Sequence, residues 1–390
     1  MMSFYSCSEE NNRLPVTDDP TIPGKVSNIR VDSLPGAVKL TYDLPRGQSL
    51  SYVKAECLIN GVLRQVKASA YVNHLTIEGF ADNSLYTINL YSVNRSEKAS
   101  EPVQVQARPL APPFQEVYKS LQLIEDWSGA AVFFENPSEA DLAICLIHVD
   151  STSFWNQGET FYTKRQQGSF SVRGFKPVET KFGVYIRDRW NNTTDTMVKV
   201  LTPRFDKPLE RTKFRAVSLP SDVPAAWGWV MTNLWNGNTG EPGFHTNTDG
   251  IWPHWFTFDL GTEEGALLSR CIFWQRIGSN NAYSFTDRNI KKFEIWGSMD
   301  PNPNGTFDES WTLLLDGEYI KPSGLPAGQF TEDDLDLLVN GHEFVFPLAI
   351  PYVRYIRVKV KETWSGAKEF FITQVAFWGS EPSDNPLEDE

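Results

Sequence analysis

Cysteine, histidine and long apolar runs are all scarce in this 390-residue sequence. The four cysteines, Cys7, Cys57, Cys145 and Cys271, fall about one per region without a C-x-x-C pair. That excludes a disulfide framework and a cysteine zinc site. Cys57, Cys145 and Cys271 sit in strand-like apolar runs and are expected to be buried, reduced thiols. There are five histidines and no G-x-S-x-G, H-E-x-x-H, P-loop or G-x-G-x-x-G segment, so no catalytic signature stands out. Acids cluster in runs such as Glu332-Asp333-Asp334 and Glu388-Asp389-Glu390, the pattern of a solvated surface rather than of two carboxylates flanking a scissile bond. No apolar run reaches the roughly 18–20 residues of a membrane-spanning helix. Positive charge is in deficit, with 36 Lys and Arg against 49 Asp and Glu and a net charge of −13. Nucleic acid and anionic membrane surfaces are therefore excluded as main partners.

What the sequence does have is strand pattern. Alternation of the kind in Val38-Lys39-Leu40-Thr41-Tyr42 and Tyr355-Ile356-Arg357-Val358-Lys359-Val360 recurs throughout, punctuated by Gly, Pro, Asn and Asp. Short strands with regular turns predict an all-β chain of sandwiches or barrels. One helix is predicted, capped at Thr331 and ended by Asn340-Gly341. An internal repeat of about 94 residues, near the ~100 of an immunoglobulin-like sandwich, divides the first half. It aligns Gly36-Ala37-Val38 with the run Gly129 to Val132, Leu75 to Phe80 with Phe170 to Phe175, and Leu85 to Tyr91 with Lys181 to Arg187. The second copy carries Asp188-Arg189-Trp190-Asn191-Asn192, readable as an exposed recognition loop or as a hairpin turn with Asn at positive φ. Pro-rich joints at Pro109 to Pro113 and Pro203 to Pro208 delimit the units. The expected organisation is a leader over 1–22, sandwiches over 23–110 and 111–206, and a larger domain over 207–390.

The last region carries a resemblance. Asn233-Leu234-Trp235-Asn236-Gly237-Asn238, Pro253 to Gly261 ending in Asp259-Leu260-Gly261, Phe293-Glu294-Ile295-Trp296 through Asp300 with Trp311 after it, Val353-Arg354-Tyr355-Ile356-Arg357, and Ile372 to Gly379 follow one another in order. Together they resemble the discoidin-like, galactose-binding jelly rolls. The first unit, opening on Pro23-Gly24-Lys25-Val26, resembles a fibronectin type III module, with Tyr86 placed like a tyrosine corner. The whole chain resembles the three-domain, glycan-associated surface lipoproteins of Bacteroidetes.

That resemblance implies a carbohydrate site built from His245, Arg276 and Asn281, with an aromatic platform drawn from Trp252, Trp364, Trp229 and Trp227. Arg and His donate to adjacent sugar hydroxyls, Asn both donates and accepts, and an aromatic face covers the sugar's C–H face. The plainer alternatives are a structural pairing of Arg276 with Asp287 or Glu294, a turn role for Asn281, and packing roles for the tryptophans. Trp255, Trp274, Trp296, Trp311 and Trp378 lie in strand patterns and are expected in the core, and His254 on a rim. Calcium-binding relatives carry Asp and Glu where this chain has Asn236 and Gln374, so a structural calcium is left open and would be held weakly. Cys7, with Ser6 before it and Ser8-Glu9-Glu10 after it, resembles a lipid-anchored, surface-exported cysteine. The ~15–30-residue signal peptide this requires would precede it; the alternative is an incidental Cys in a polar leader. The implied protein is a monomeric, non-catalytic glycan binder on the outer-membrane surface, held to the membrane only by its lipid, and acting beside other surface glycan-uptake proteins. The alternative is a structural or adhesive subunit that docks such proteins.

Overall fold

The computed structural model describes residues 19–47, 49–150, 153–248 and 251–384. Cys7 lies outside them. The chain divides into two compact units. One holds the chain up to Glu125 with Ala130–Val172 and Glu179–Leu201, and the other holds Asp126–Gly129, Arg173–Val178 and everything from Thr202. Both are built almost entirely of antiparallel sheets.

The first unit contains two β-sandwiches of the fibronectin type III and immunoglobulin kind. In the first, Ser27–Leu34, Ala37–Asp43 and His74–Glu78 form one sheet. Val62–Ser69, Leu50–Ile59, Tyr86–Asn94 and Val103–Ala107 form the other. The second repeats the plan, with Gln122–Asp126, Gly129–Glu135 and Gln167–Val172 (all but the end residues Asp126 and Gly129 belonging to this unit) against Trp155–Thr163, Leu142–Val149, Thr180–Asp188 and Met197–Leu201. The segments aligned by the internal repeat fall on equivalent strands of the two sandwiches. Period-two alternation places Val38, Leu40 and Tyr42 inward against Val53, Ala55, Cys57, Ile88 and Leu90. Cys57, Cys145 and Cys271 are buried free thiols. Tyr86 departs from a tyrosine corner, because its hydroxyl donates to the Asp82 carboxylate at 2.9 Å rather than to backbone.

The run from Asp188 to Asn192 forms a turn, with Asn191 at φ 64°. It is not an exposed recognition loop. The Asn192 side chain is buried and donates to the Gly79 carbonyl at 3.1 Å, and it accepts from Asn60 Nδ2 at 2.9 Å. Arg189 pairs with Glu78 at 2.6 Å. The turn therefore binds the second sandwich to the first. Asn192→Ala leaves the Gly79 carbonyl and the Asn60 amide short of a partner, and is expected to cost about 1–3 kcal/mol, read as a fall in the urea midpoint.

In the second unit, Arg215–Val217, His254–Asp259, Tyr355–Thr363, Ile290–Ser298 and Thr312–Glu318 form a five-stranded sheet. Lys207–Pro208, Gln374–Ser380, Leu267–Trp274 and His342–Val345 form a four-stranded one. The core between them is rich in phenylalanine, with Phe256, Phe258, Phe273, Phe293 and Phe377 among its members beside Leu, Ile and Val. The helix predicted from Thr331 runs Glu332–Asn340, with a capping box between Thr331 and Asp334 and Gly341 at φ 81° after it. Gly261 allows the chain to leave Asp259 in a turn at φ 74°, where an added Cβ would lie 2.3 Å from the Lys213 carbonyl oxygen.

The tryptophan expectation is corrected here. Trp311 is buried, but Trp255, Trp274, Trp296 and Trp378 are only half-buried. An indole N–H needs a partner; Trp255 finds one in Ser221 Oγ and Trp274 in the Val339 carbonyl. His254, expected on a rim, is buried beside the Trp252 ring.

Candidate functional site

A two-stranded ribbon, Phe244–His245 against Phe371–Ile372, lies in the second unit. A tight turn is clipped to it. Ala226 N–H donates to the His245 carbonyl at 2.8 Å, and Trp229 N–H to the Ala226 carbonyl at 3.0 Å. Trp227 sits at φ 59° in this turn and is 75% exposed. Trp227, Trp229, His245, Arg276, Arg288 and Glu369 line one open cavity of about 290 Å³.

Arg276 follows directly on the end of the strand Leu267–Trp274 and Gln275. Its backbone is fixed by Asn289, whose side-chain oxygen accepts from Arg276 N–H at 2.9 Å and whose amide donates to the Arg276 carbonyl at 2.9 Å. Its guanidinium is held from two sides. Glu241 takes Nε and Nη2 at 2.8 and 2.9 Å in a bidentate pair. The rings of Tyr283, Trp229 and Phe371 lie 3.9, 4.8 and 5.0 Å from it. Glu241, not Asp287 or Glu294, is therefore its partner. Asp287 pairs with Arg288, and Glu294 with Lys359 and Lys361.

His245 Nδ1 faces the Thr246 carbonyl oxygen at 2.5 Å, so Nδ1 carries the proton and Nε2 is an acceptor. Burial holds its pKa below the ordinary 6.5 despite that carbonyl and the Glu369 carboxylate, and the guanidiniums of Arg288 and Arg276 act in the same direction. The ring is neutral at pH 7. Arg288 gives Nε to Glu369 and Nη1 to Asp287 at 2.8 Å. The cavity therefore presents guanidinium N–H groups, a neutral imidazole acceptor, a carboxylate and an exposed indole.

Of the residues singled out in the sequence, the fold brings His245, Arg276, Trp229 and Trp227 together. Trp252 packs on the domain core, and its indole N–H donates to the Lys361 carbonyl at 3.2 Å. Trp364 also packs on that core, edge-on to Phe285. Asn281 stands at φ 60° in the loop after Arg276, and its carbonyl accepts from Ser284 N–H at 3.1 Å. Arg288 and Glu369 were not singled out. They sit 81 residues apart in chain, and neither carries a local motif.

The fold and cavity define a modular all-β protein with a small polar and aromatic pocket. Three family models match it, each described as a domain of unknown function: DUF4959 over residues 23–109, DUF5126 over residues 110–212 and DUF5000 over residues 232–379. No curated protein matches. Among solved structures, a SusE-like protein is 31% identical, over 69% of this chain and 99% of that one, with a TM-score of 0.44. A two-domain fibronectin type III segment of chicken tenascin is 14% identical, over 45% of this chain and 98% of that one, with a TM-score of 0.22. By its sequence identity and coverage, the chain belongs to the family of the SusE-like protein.

Proposed function

We propose that the chain is a non-catalytic, cell-surface glycan-binding protein of polysaccharide utilisation, with an uncharged sugar bound in the pocket of Trp227, Trp229, His245, Arg276, Arg288 and Glu369. The observation that carries this is Arg276, held flat by Glu241 and three rings while it borders the cavity beside His245 and the exposed Trp227. A sugar hydroxyl both donates and accepts. Guanidinium N–H groups meet its lone pairs, and His245 Nε2 and Glu369 meet its proton. The exposed Trp227 face covers C–H groups. Arg276 and Arg288 are already matched by Glu241, Asp287 and Glu369, which leaves no positive excess for a uronate or sulfate. Glu241 and Glu369 are both tied to guanidiniums. Neither is then a free acid or nucleophile, which supports a binding role over hydrolysis.

In this reading residues 207–390 are a discoidin-like jelly roll that carries the site. The sandwiches over 23–110 and 111–206 are spacers, and Cys7 is the lipid anchor to the outer-membrane surface. Other surface glycan-uptake proteins are its neighbours, and it acts as a monomer. Trp252, Trp364 and Asn281 support the loops rather than the ligand.

The test is isothermal titration of the full chain against neutral and acidic polysaccharides across pH. Neutral glycans are expected to bind and acidic ones not. Binding should be strongest above neutral pH and weaken as His245 gains its proton, with the midpoint of that loss below the ordinary histidine value of 6.5, because burial lowers the His245 pKa. Absence of binding by folded protein, or preference for acidic chains, would overturn the reading.

A further inference from the structure

We infer that a side-chain amide stands in for the structural cation beneath the opening loop of the last domain, and that this domain needs no calcium there. The inference is independent of the ligand. Gln374 opens the closing strand and is fully buried. One orientation of its amide satisfies every polar atom. The NH₂ donates to the carbonyls of Leu234, Asn233 and Asn238 at 3.0, 3.1 and 3.3 Å, and the oxygen accepts from Gly237 N–H at 2.9 Å and Arg211 Nη1 at 3.0 Å. The opposite orientation sets oxygen against three carbonyl oxygens and NH₂ against two donors. Buried polar groups left unmatched are strongly disfavoured, so the first orientation is the one the site holds.

Three carbonyls turned on one point are the beginnings of a calcium site. Here that point is filled by the electropositive NH₂. A calcium ion would require the Gln374 oxygen to turn toward it, which would drive NH₂ against Gly237 N–H and the Arg211 guanidinium. Asn236 offers no replacement, because its side-chain oxygen accepts from Asn238 N–H at 2.8 Å. Among the described residues no carboxylate takes part in this cage. Calcium, left open by the sequence resemblance, therefore does not fit these residues. The amide does work that bears on the site as well. It pins the loop whose Asn238 and Asn233 side chains donate to the Glu241 and Gly243 carbonyls at 3.4 and 2.9 Å, and that loop delivers Glu241 to Arg276.

Thermal unfolding of the full chain in chelator and in millimolar calcium tests this. The wild-type midpoint is expected to be the same in both. Gln374→Glu keeps an acceptor for Gly237 and Arg211 and turns its second oxygen on the three carbonyls. It is expected to melt lower in chelator and to regain stability with calcium, with one ion bound by titration calorimetry. Gln374→Met, which has neither amide nor carboxylate, covers the case in which the Glu variant fails to fold: it should melt lower in both conditions. A calcium-dependent rise in the wild type that is lost in Gln374→Met would overturn the inference. A rise kept in that variant would belong elsewhere in the chain and would leave the amide in its place.

Discussion

Arg276→Ala is expected to reduce glycan affinity by two orders of magnitude or more while the chain remains folded. The guanidinium supplies charge-assisted hydrogen bonds of about 1.5–3 kcal/mol each, and each 1.4 kcal/mol is a factor of ~10 in affinity. Its loss also leaves Glu241 beside the cavity without its counter-charge, which repels the lone pairs of an incoming hydroxyl. Arg276→Lys should rescue little. An ammonium keeps the charge but cannot pair bidentately with Glu241 and lie flat on Tyr283 at once. The informative partner is Glu241→Gln. It preserves an acceptor for Arg276 and removes the negative charge, so neutral-glycan binding should fall modestly while binding of uronate-bearing chains appears. Titration calorimetry with both ligand classes reads all three variants. Unchanged affinity in Arg276→Ala would remove this cavity from the function, and absence of acidic-glycan binding in Glu241→Gln would show that charge balance does not set selectivity.

The fold was legible because it is written locally. Alternation in Val38 to Tyr42 marks a strand with one buried face, and the repeat locates the same strand at Gly129 to Val132. Thr331 with Asp334 and Asn340-Gly341 mark both helix ends. The candidate cavity was legible only where its lining stays close to a motif. His245 and Arg276 follow the opening turn and a strand end, and Trp227 and Trp229 stand just before that turn. Arg288 and Glu369 were invisible because their pairing joins two loops far apart in sequence, and Glu241 reaches Arg276 across 35 residues. Aromatic content misled in two ways. Trp252 and Trp364 look like platforms, yet they pack half-buried against the core and do not line this cavity, and Trp255, Trp274, Trp296 and Trp378 look like core but are also only half-buried. Strand periodicity reports which face a side chain is on, and in a domain of two sheets and many loops both faces can be covered.

Arg357→Ala is expected to be the most destabilising single change in the last domain. Arg357 lies in the central strand Tyr355–Thr363, and its side chain is 0% exposed. Its Nη2 is 3.4 Å from Asp222, whose side chain is 3% exposed. Its Nε donates to Thr257 Oγ1 at 3.0 Å, and the Thr257 hydroxyl in turn donates to Asp222 at 2.9 Å. The guanidinium also lies 4.4 Å from the Trp311 ring and 5.0 Å from Phe307. Removing one partner of a buried pair strands the other, at about 3–5 kcal/mol, and in a domain of this size each kcal/mol lowers Tm by roughly 2–4 °C. The pH dependence separates charge from packing. Burial raises the Asp222 pKa above 3.8, and Arg357, Thr257 and the Leu219 N–H only partly oppose it; Asp308 is the other carboxylate facing Arg357. A carboxyl whose folded pKa is raised favours folding when protonated, below its unfolded value, and loses that contribution as pH rises through the folded value. Without Arg357 the rise grows, so the stability deficit should be largest at neutral pH and shrink as pH falls toward 4. Asp222→Asn combined with Arg357→Met should recover much of the loss, since neither charge is then buried alone. Urea unfolding at several pH values reads this directly. A deficit that is the same at every pH and unrelieved in the double variant would assign the cost to the lost packing on Trp311 and Phe307 instead of to the ion pair.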